Sequence, residues 1–284
     1  METRLLAFPA RVFDDSFSDP LHHVDHPCEN RKLRVMAQSL ESWIESDVRP
    51  FEDKSLSYLS QYHFFRDPTR PVFGDPGLFF SPADGILLYQ GVVKADEPVM
   101  EIKGVPYTPR AALREPDFDR PSLVIGIFMT FFDVHVNRIP YSGRLSWRVV
   151  EPIDTLNHPM LAMEQDLLTE LRIDPDRAGY LHHNQRVVNR IDVPALRQSY
   201  YVLQIADHDV DAITPFGLRQ HRPVFQGRRF SQIRYGSQVE LVIPLSERVD
   251  FVPLQRTGTH VQAGVDPLVR VRFPDHEQEG GTAA

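Results

Sequence analysis

Three polar side chains interrupt apolar runs in ways that could serve chemistry: Asp84 in FFSPADGILLYQG, His135 in FFDVHVNRIPYSG and Ser237 in RYGSQVELVIP. An acid, a base and a hydroxyl, each beside turn residues, are the parts of a nucleophilic acyl transfer. The G-x-S-x-G elbow that presents a hydrolase nucleophile is absent, and the chain order Asp, His, Ser identifies nothing by itself. Each residue also has an ordinary role: Asp84 in an Asp-Gly turn, His135 as a hydrogen-bonded core histidine, and Gly236-Ser237 as a tight turn leading into a half-buried strand. Histidine-rich segments raise the question of metal. HHVDHPC gathers His22, His23, His26 and Cys28, while LHHNQ and the acidic residues around His208 form smaller groups. None of them shows a second ligand group at a recognisable spacing, so neither a metal nor a nucleotide is expected.

These residues need a scaffold, and the hydrophobic pattern supplies one. In RKLRVMAQSLESWIESDV, Leu33, Met36, Leu40, Trp43 and Ile44 recur at helical spacing, with Arg34, Gln38, Glu41 and Glu45 on the other side. A second helix is expected over EDKSLSYLSQYHFF, stopped by Pro68, with Leu56, Leu59 and Tyr62 on one face. From residue 78 onward the chain turns to short β-rich runs punctuated by Gly and Pro: GILLYQGVV, PVMEIKG, LVIGIFMTFF, GRLSWRVV, QRVVNRIDV, YYVLQIADHDV and QVELVIPL. Only NHPMLAMEQDLLTELR within this region reads as helix. The predicted fold is α+β: N-terminal amphipathic helices over 1–70, then a predominantly antiparallel β body, sandwich or barrel-like, over 71–284.

Composition narrows the partners. The chain has 284 residues and a net charge of -8, without a basic block, which disfavours nucleic acid. Its single cysteine, Cys28, cannot form an internal disulfide and fits a reducing, cytoplasmic compartment. The most apolar stretch, SLVIGIFMTFF, is shorter than the about 20 residues a membrane span needs, and the N-terminus carries no signal-peptide pattern, so any membrane contact is expected to be peripheral.

Several motifs, taken in order, resemble phosphatidylserine decarboxylase precursors: FFRDPTRPVF, SPADG, KGVPYT, DVHVNRIPYSG with Asn157-His158, and GRRFSQIRYGSQVELVIP. The resemblance covers roughly residues 64 to 270 and is to the shorter subgroup with an HVNR motif. The closing TGTHVQAGVDPL resembles that family's terminal hairpin. The resemblance implies that Ser237 attacks the Gly236 carbonyl, converts the amide to an ester, and is then eliminated. The chain would be cut into 1–236 and 237–284, and the serine remnant would become a pyruvoyl group that serves as electron sink in decarboxylation. It further implies that Asp84 supports self-cleavage and that His135 handles protons.

Two positions depart from the family. Arg138 stands where many members have a second histidine, which leaves open an auxiliary role for its charge. Asp207, His208, Asp209 and Asp211 occupy a segment that is usually small and apolar. Partners implied are a phospholipid substrate, a membrane surface, the two cleavage chains and a second copy of the chain. The stripe Leu33, Met36, Leu40 and Trp43, with Tyr62, Phe64 and Phe65, is the expected lipid-facing rim. Alternatives are a pyruvoyl decarboxylase of soluble aromatic amino acids, a Ser-His-Asp hydrolase, and an inactive relative acting as a binding protein.

Overall fold

The computed structural model describes residues 37–154, 156–207, 212–234 and 236–273, apart from the side chains of Leu56 and Ser60. His22, His23, His26, Cys28, Leu33, Met36, His208, Asp209 and Asp211 lie outside the described residues. The β-rich runs assemble into a nine-stranded antiparallel sheet. Across it the strands follow the order Gln38–Ser39, Thr259–Val261, Gly85–Val93, Ser122–Met129, Ser237–Pro244, Gln198–Ala206, Arg186–Val193, Gly143–Val150, Arg222–Val224. Ser237–Pro244 is therefore the central strand, flanked by Ser122–Met129 and Gln198–Ala206.

Both faces of this sheet are covered. Leu123, Ile125 and Ile127 pack with Val239, Leu241 and Ile243 in one hydrophobic cluster, while Val124, Phe128 and Val242 join Leu203 and Ile205 in the other. Each such buried aliphatic or aromatic side chain contributes about 1.5–3 kcal/mol. The central strand is buried along its whole length, which corrects the expectation of a half-buried strand. Its polar positions face a second core rather than water: Gln238 and Glu240 are buried, and Glu240 accepts hydrogen bonds from Tyr89, Tyr107 and Gln238.

The N-terminal part is a set of short helical turns packed on the β body. Ser39 caps Leu40–Trp43 by accepting from Ser42 N at 3.2 Å, and a π-helical turn follows over Ile44–Val48. Leu40, Trp43, Ile44 and Val48 are all in the core. The expected lipid-facing role of Leu40 and Trp43 is thereby overturned, as is that of Phe64, which is fully buried. The second helix also breaks into an α turn, Leu56–Tyr58, and a π turn, Leu59–His63. The wider turn shifts the phase of the face, so that Leu59 is buried while Tyr62 is 67% exposed. The closing segment is not a hairpin: Thr259–Val261 joins the main sheet, whereas Pro267–Arg272 pairs with Asp250–Pro253 and Leu78–Phe80.

Candidate active site

Ser237 opens the central strand and is paired on one side with Met129 and on the other with Ala206. It is fully buried, and its hydroxyl lies 3.3 Å from the Met129 sulfur, a weak acceptor. The Asn137 amide reaches the same sulfur at 3.6 Å. Space at Gly236 is tight: a Cβ there would stand 3.1 Å from Asp207 Oδ2, which would have to give way slightly, and in ordinary contact with the Phe131 ring at 3.5 Å and Glu164 Oε2 at 3.8 Å. The Gly236–Ser237 bond is thus buried, with a hydroxyl that touches only a weak acceptor and the carboxyl groups of Asp207 and Glu164 close to Gly236.

His135 precedes the strand Val136–Arg138 and is held by its backbone on two sides. Its N–H donates to Phe64 O at 2.8 Å, and its carbonyl accepts from Ile233 N at 3.1 Å. The ring stacks on Phe64, which also stacks on Phe131, the ring against Gly236. His135 Nδ1 is 3.0 Å from the Asp133 carbonyl oxygen, and its buried Nε2 has no hydrogen-bond partner. Burial, partly offset by that hydrogen bond and the Asp133 charge, lowers its pKa to about 4. At neutral pH it is an uncharged imidazole with an available lone pair, which suits a general base.

Asp84 is held differently from His135. Both its oxygens are engaged by Arg70, at 2.6 and 2.5 Å, and Oδ1 also accepts from Ala263 N at 2.8 Å. Gly85 follows because its φ is 150° and a Cβ would collide with the Phe128 carbonyl oxygen. Arg138 is largely buried and committed to Asp67 Oδ1 and the Gly227 carbonyl, each at 3.0 Å.

Sequence reasoning missed two groups at this site. Glu164 and Asp207 are buried, and each anchors backbone: Glu164 accepts from Phe131 N and Asp207 from Met160 N, both at 2.8 Å. Burial, reinforced by the Asp207 charge, raises the Glu164 pKa well above the carboxyl range, so Glu164 is a candidate proton donor beside Gly236. Glu164 lay unremarked on a helix, and Asp207 registered only as an unusual acidic position. The other group is Asp133 with His260, joined at 2.6 Å, with Thr130 donating twice to Asp133 and Trp43 stacked on the His260 ring. Residues 133 and 260 are too distant in sequence for spacing to pair them.

Comparison with known proteins gives a consistent result. A sequence model of the family described as Phosphatidylserine decarboxylase matches residues 60–268. The phosphatidylserine decarboxylase proenzyme of Erythrobacter litoralis is 32% identical over 253 residues, covering 87% of this chain and 87% of its own. The protein of that name from Xanthobacter autotrophicus is 32% identical over 187 residues, 66% of this chain and 64% of its own. That of Chlorobium chlorochromatii is 29% identical over 207 residues, 72% of this chain and 76% of its own.

Proposed function

This chain belongs to the phosphatidylserine decarboxylase family, and from that membership we propose that it matures by breaking its own Gly236–Ser237 bond. The mature enzyme then removes carbon dioxide from the serine head group of phosphatidylserine, leaving phosphatidylethanolamine. The placement of Gly236–Ser237 carries this assignment: a buried serine at the head of the central strand, its hydroxyl resting on a thioether, next to a glycine closely flanked by the Asp207 carboxylate.

Maturation begins when Ser237 Oγ adds to the Gly236 carbonyl carbon. The C–N bond breaks, the nitrogen takes up the hydroxyl proton, and an ester replaces the amide. Loss of the Ser237 Cα proton with departure of the Gly236 carboxylate then cuts the chain. Water replaces the nitrogen of the remnant, ammonia leaves, and a ketone blocks the new terminus. A pyruvoyl group at this position supplies the electron sink for the carbanion left by decarboxylation. The pocket fits such a group, since the residue is enclosed and its side-chain oxygen has no strong partner to lose.

His135 is assigned to proton handling through its free Nε2, in cleavage and at the substrate carbon after carbon dioxide departs. Asp84 acts through Arg70 and the Ala263 backbone, shaping the pocket rather than touching Ser237. Both fragments stay together after cleavage, because the central strand remains paired with neighbours on either side.

No helix among the described residues is long and apolar enough to cross a membrane. With Leu40 and Trp43 in the core, we assign lipid contact to the segment leading into the helix Leu161–Gln165. There Ile153 and Leu156 are 66% and 70% exposed, and that helix carries Glu164 to Gly236. The relatives are named for a phospholipid, phosphatidylserine, which favours a lipid over a soluble amino acid.

Intact mass and a denaturing gel test the assignment. The parent should give two pieces split at 236/237, the smaller with a blocked terminus, while Ser237→Ala stays whole. Cleavage of the alanine variant, or faster carbon dioxide release from free tryptophan than from phosphatidylserine vesicles, would overturn the corresponding half of it.

A further inference from the structure

The segment after the strand Gly143–Val150 is fastened to the helix Tyr180–His183 and the residues that follow it. Ile153 N donates to His183 O at 2.9 Å, His158 N to Asn184 Oδ1 at 2.7 Å, Asn184 Nδ2 to His158 O at 2.8 Å, and Gln185 N to Asn157 Oδ1 at 2.8 Å. This framework brings together Asp154, His158 and His183, whose ligand atoms lie within 4.8 Å of one another. His158 Nε2 and His183 Nδ1 each stand 2.9 Å from the same oxygen, Asp154 Oδ2, and the two rings stack at 4.3 Å and 10°.

Hydrogen bonding alone serves this arrangement poorly. His158 Nε2 is hydrogen-bonded to Asp154, but the buried His183 Nδ1 makes no hydrogen bond despite its 2.9 Å approach. The His183 nitrogen is thus a buried donor atom without a partner beside a carboxylate and a second imidazole, and a cation held by the three groups would give it one. Donors placed at right angles around a square-planar or octahedral ion with bonds of about 2.05 Å are separated by about 2.9 Å, the spacing of each His nitrogen from Asp154 Oδ2.

We propose that Asp154, His158 and His183 form a binding site for a first-row divalent transition-metal ion of the Zn²⁺, Ni²⁺ or Cu²⁺ kind. Two imidazole nitrogens and one carboxylate oxygen suit these ions, whereas Mg²⁺ and Ca²⁺ prefer oxygen throughout. The three side chains are partly exposed, so water completes the coordination. The ion acts as a clamp that joins the loop bearing Ile153 and Leu156 to the helix Tyr180–His183. None of its three ligands is assigned a part in the Ser237 chemistry, and its existence does not depend on the decarboxylase assignment.

The test uses the full-length protein stripped with a chelator and titrated with Zn²⁺ by calorimetry, and with Cu²⁺ by electron paramagnetic resonance. One equivalent should bind, with nitrogen hyperfine structure from imidazole, and Zn²⁺ should raise the melting temperature. His158→Gln and His183→Gln should each weaken binding by more than the about 10- to 100-fold typical of losing a group that only orients a ligand. Asp154→Asn should weaken it as well, while His182→Gln should bind as the parent does. Chelated variants melting with the chelated parent would show that the loss is not unfolding. Undiminished binding in the His158 and His183 variants would place the metal elsewhere and overturn the proposal, as would failure of the parent to bind either ion below millimolar concentration.

Discussion

Replacing His135 by Asn tests whether the buried imidazole is a neutral base locked in one tautomer. The Asp133 carbonyl oxygen, 3.0 Å from Nδ1, can only accept, so Nδ1 carries the hydrogen and Nε2 the lone pair. Burial lowers the pKa from 6.5 to about 4. Below pH 6.5 the unfolded chain takes up a proton here, and the folded chain does so only near pH 4. Stability from the neutral form is therefore complete above pH 6.5 and is lost as pH falls from 6.5 through 4. A difference of about 2.5 units at about 1.4 kcal/mol per unit amounts to about 3.5 kcal/mol in full, of which about 3 kcal/mol is lost by pH 4, where the folded ring is half protonated. Asparagine retains an N–H for Asp133 and does not titrate. In a Ser237→Ala background, where each chain unfolds as one piece, urea titrations at pH 7.5 and pH 4 should show H135N losing about 3 kcal/mol less than its parent. His63, also lowered to about 4, is common to both proteins and cancels. Nitrogen-15 spectra identify the residue by its missing signals, and decarboxylation by mature H135N should fall about 10²- to 10⁴-fold. Equal pH slopes, or a His135 ring titrating near 6.5, would refute the reasoning.

Other perturbations separate roles within the pocket and around it. Asp84→Asn should slow maturation and also cost about 3–5 kcal/mol, because it leaves the Arg70 guanidinium buried without its carboxylate; maturation at the parental rate, measured by gel, would remove Asp84 from cleavage. Glu164→Gln should gain stability relative to its parent as pH rises from 5 to 8, since only the parent must keep a buried carboxyl protonated while the unfolded chain releases that proton. A pH-independent difference in melting temperature would contradict the raised pKa. Ile153→Ser with Leu156→Ser should reduce pelleting with phosphatidylserine vesicles without lowering the melting temperature, whereas Leu40→Ser with Trp43→Ser should destabilise the fold. Unchanged pelleting of the first pair would move lipid contact elsewhere.

Local pattern was enough to locate the long strands at the heart of the main sheet, though not the short ones such as Leu78–Phe80, Arg229–Ile233 and Asp250–Pro253. GILLYQGVV and GRLSWRVV coincide with Gly85–Val93 and Gly143–Val150, because alternation and turn residues act over a few positions. Ordered motifs likewise identified the family, and with it Ser237, His135 and Asp84 as the residues to examine. Sequence could not decide which apolar stripe faces water: Leu40 and Trp43 have a helical period that serves a core or a membrane equally, and only the sheet packed beneath them settles the matter. Nor could it foresee that the polar positions of QVELVIP are buried, because the partners of Glu240 come from Tyr89 and Tyr107, far away in the chain. Groups assembled from distant segments were invisible for the same reason. Glu164 and Asp207 meet at Gly236, Asp133 meets His260, and Asp154 and His158 meet His183. The type of each residue is written in the sequence, but its pKa and its partners depend on burial and proximity, which exist only once the nine strands have paired.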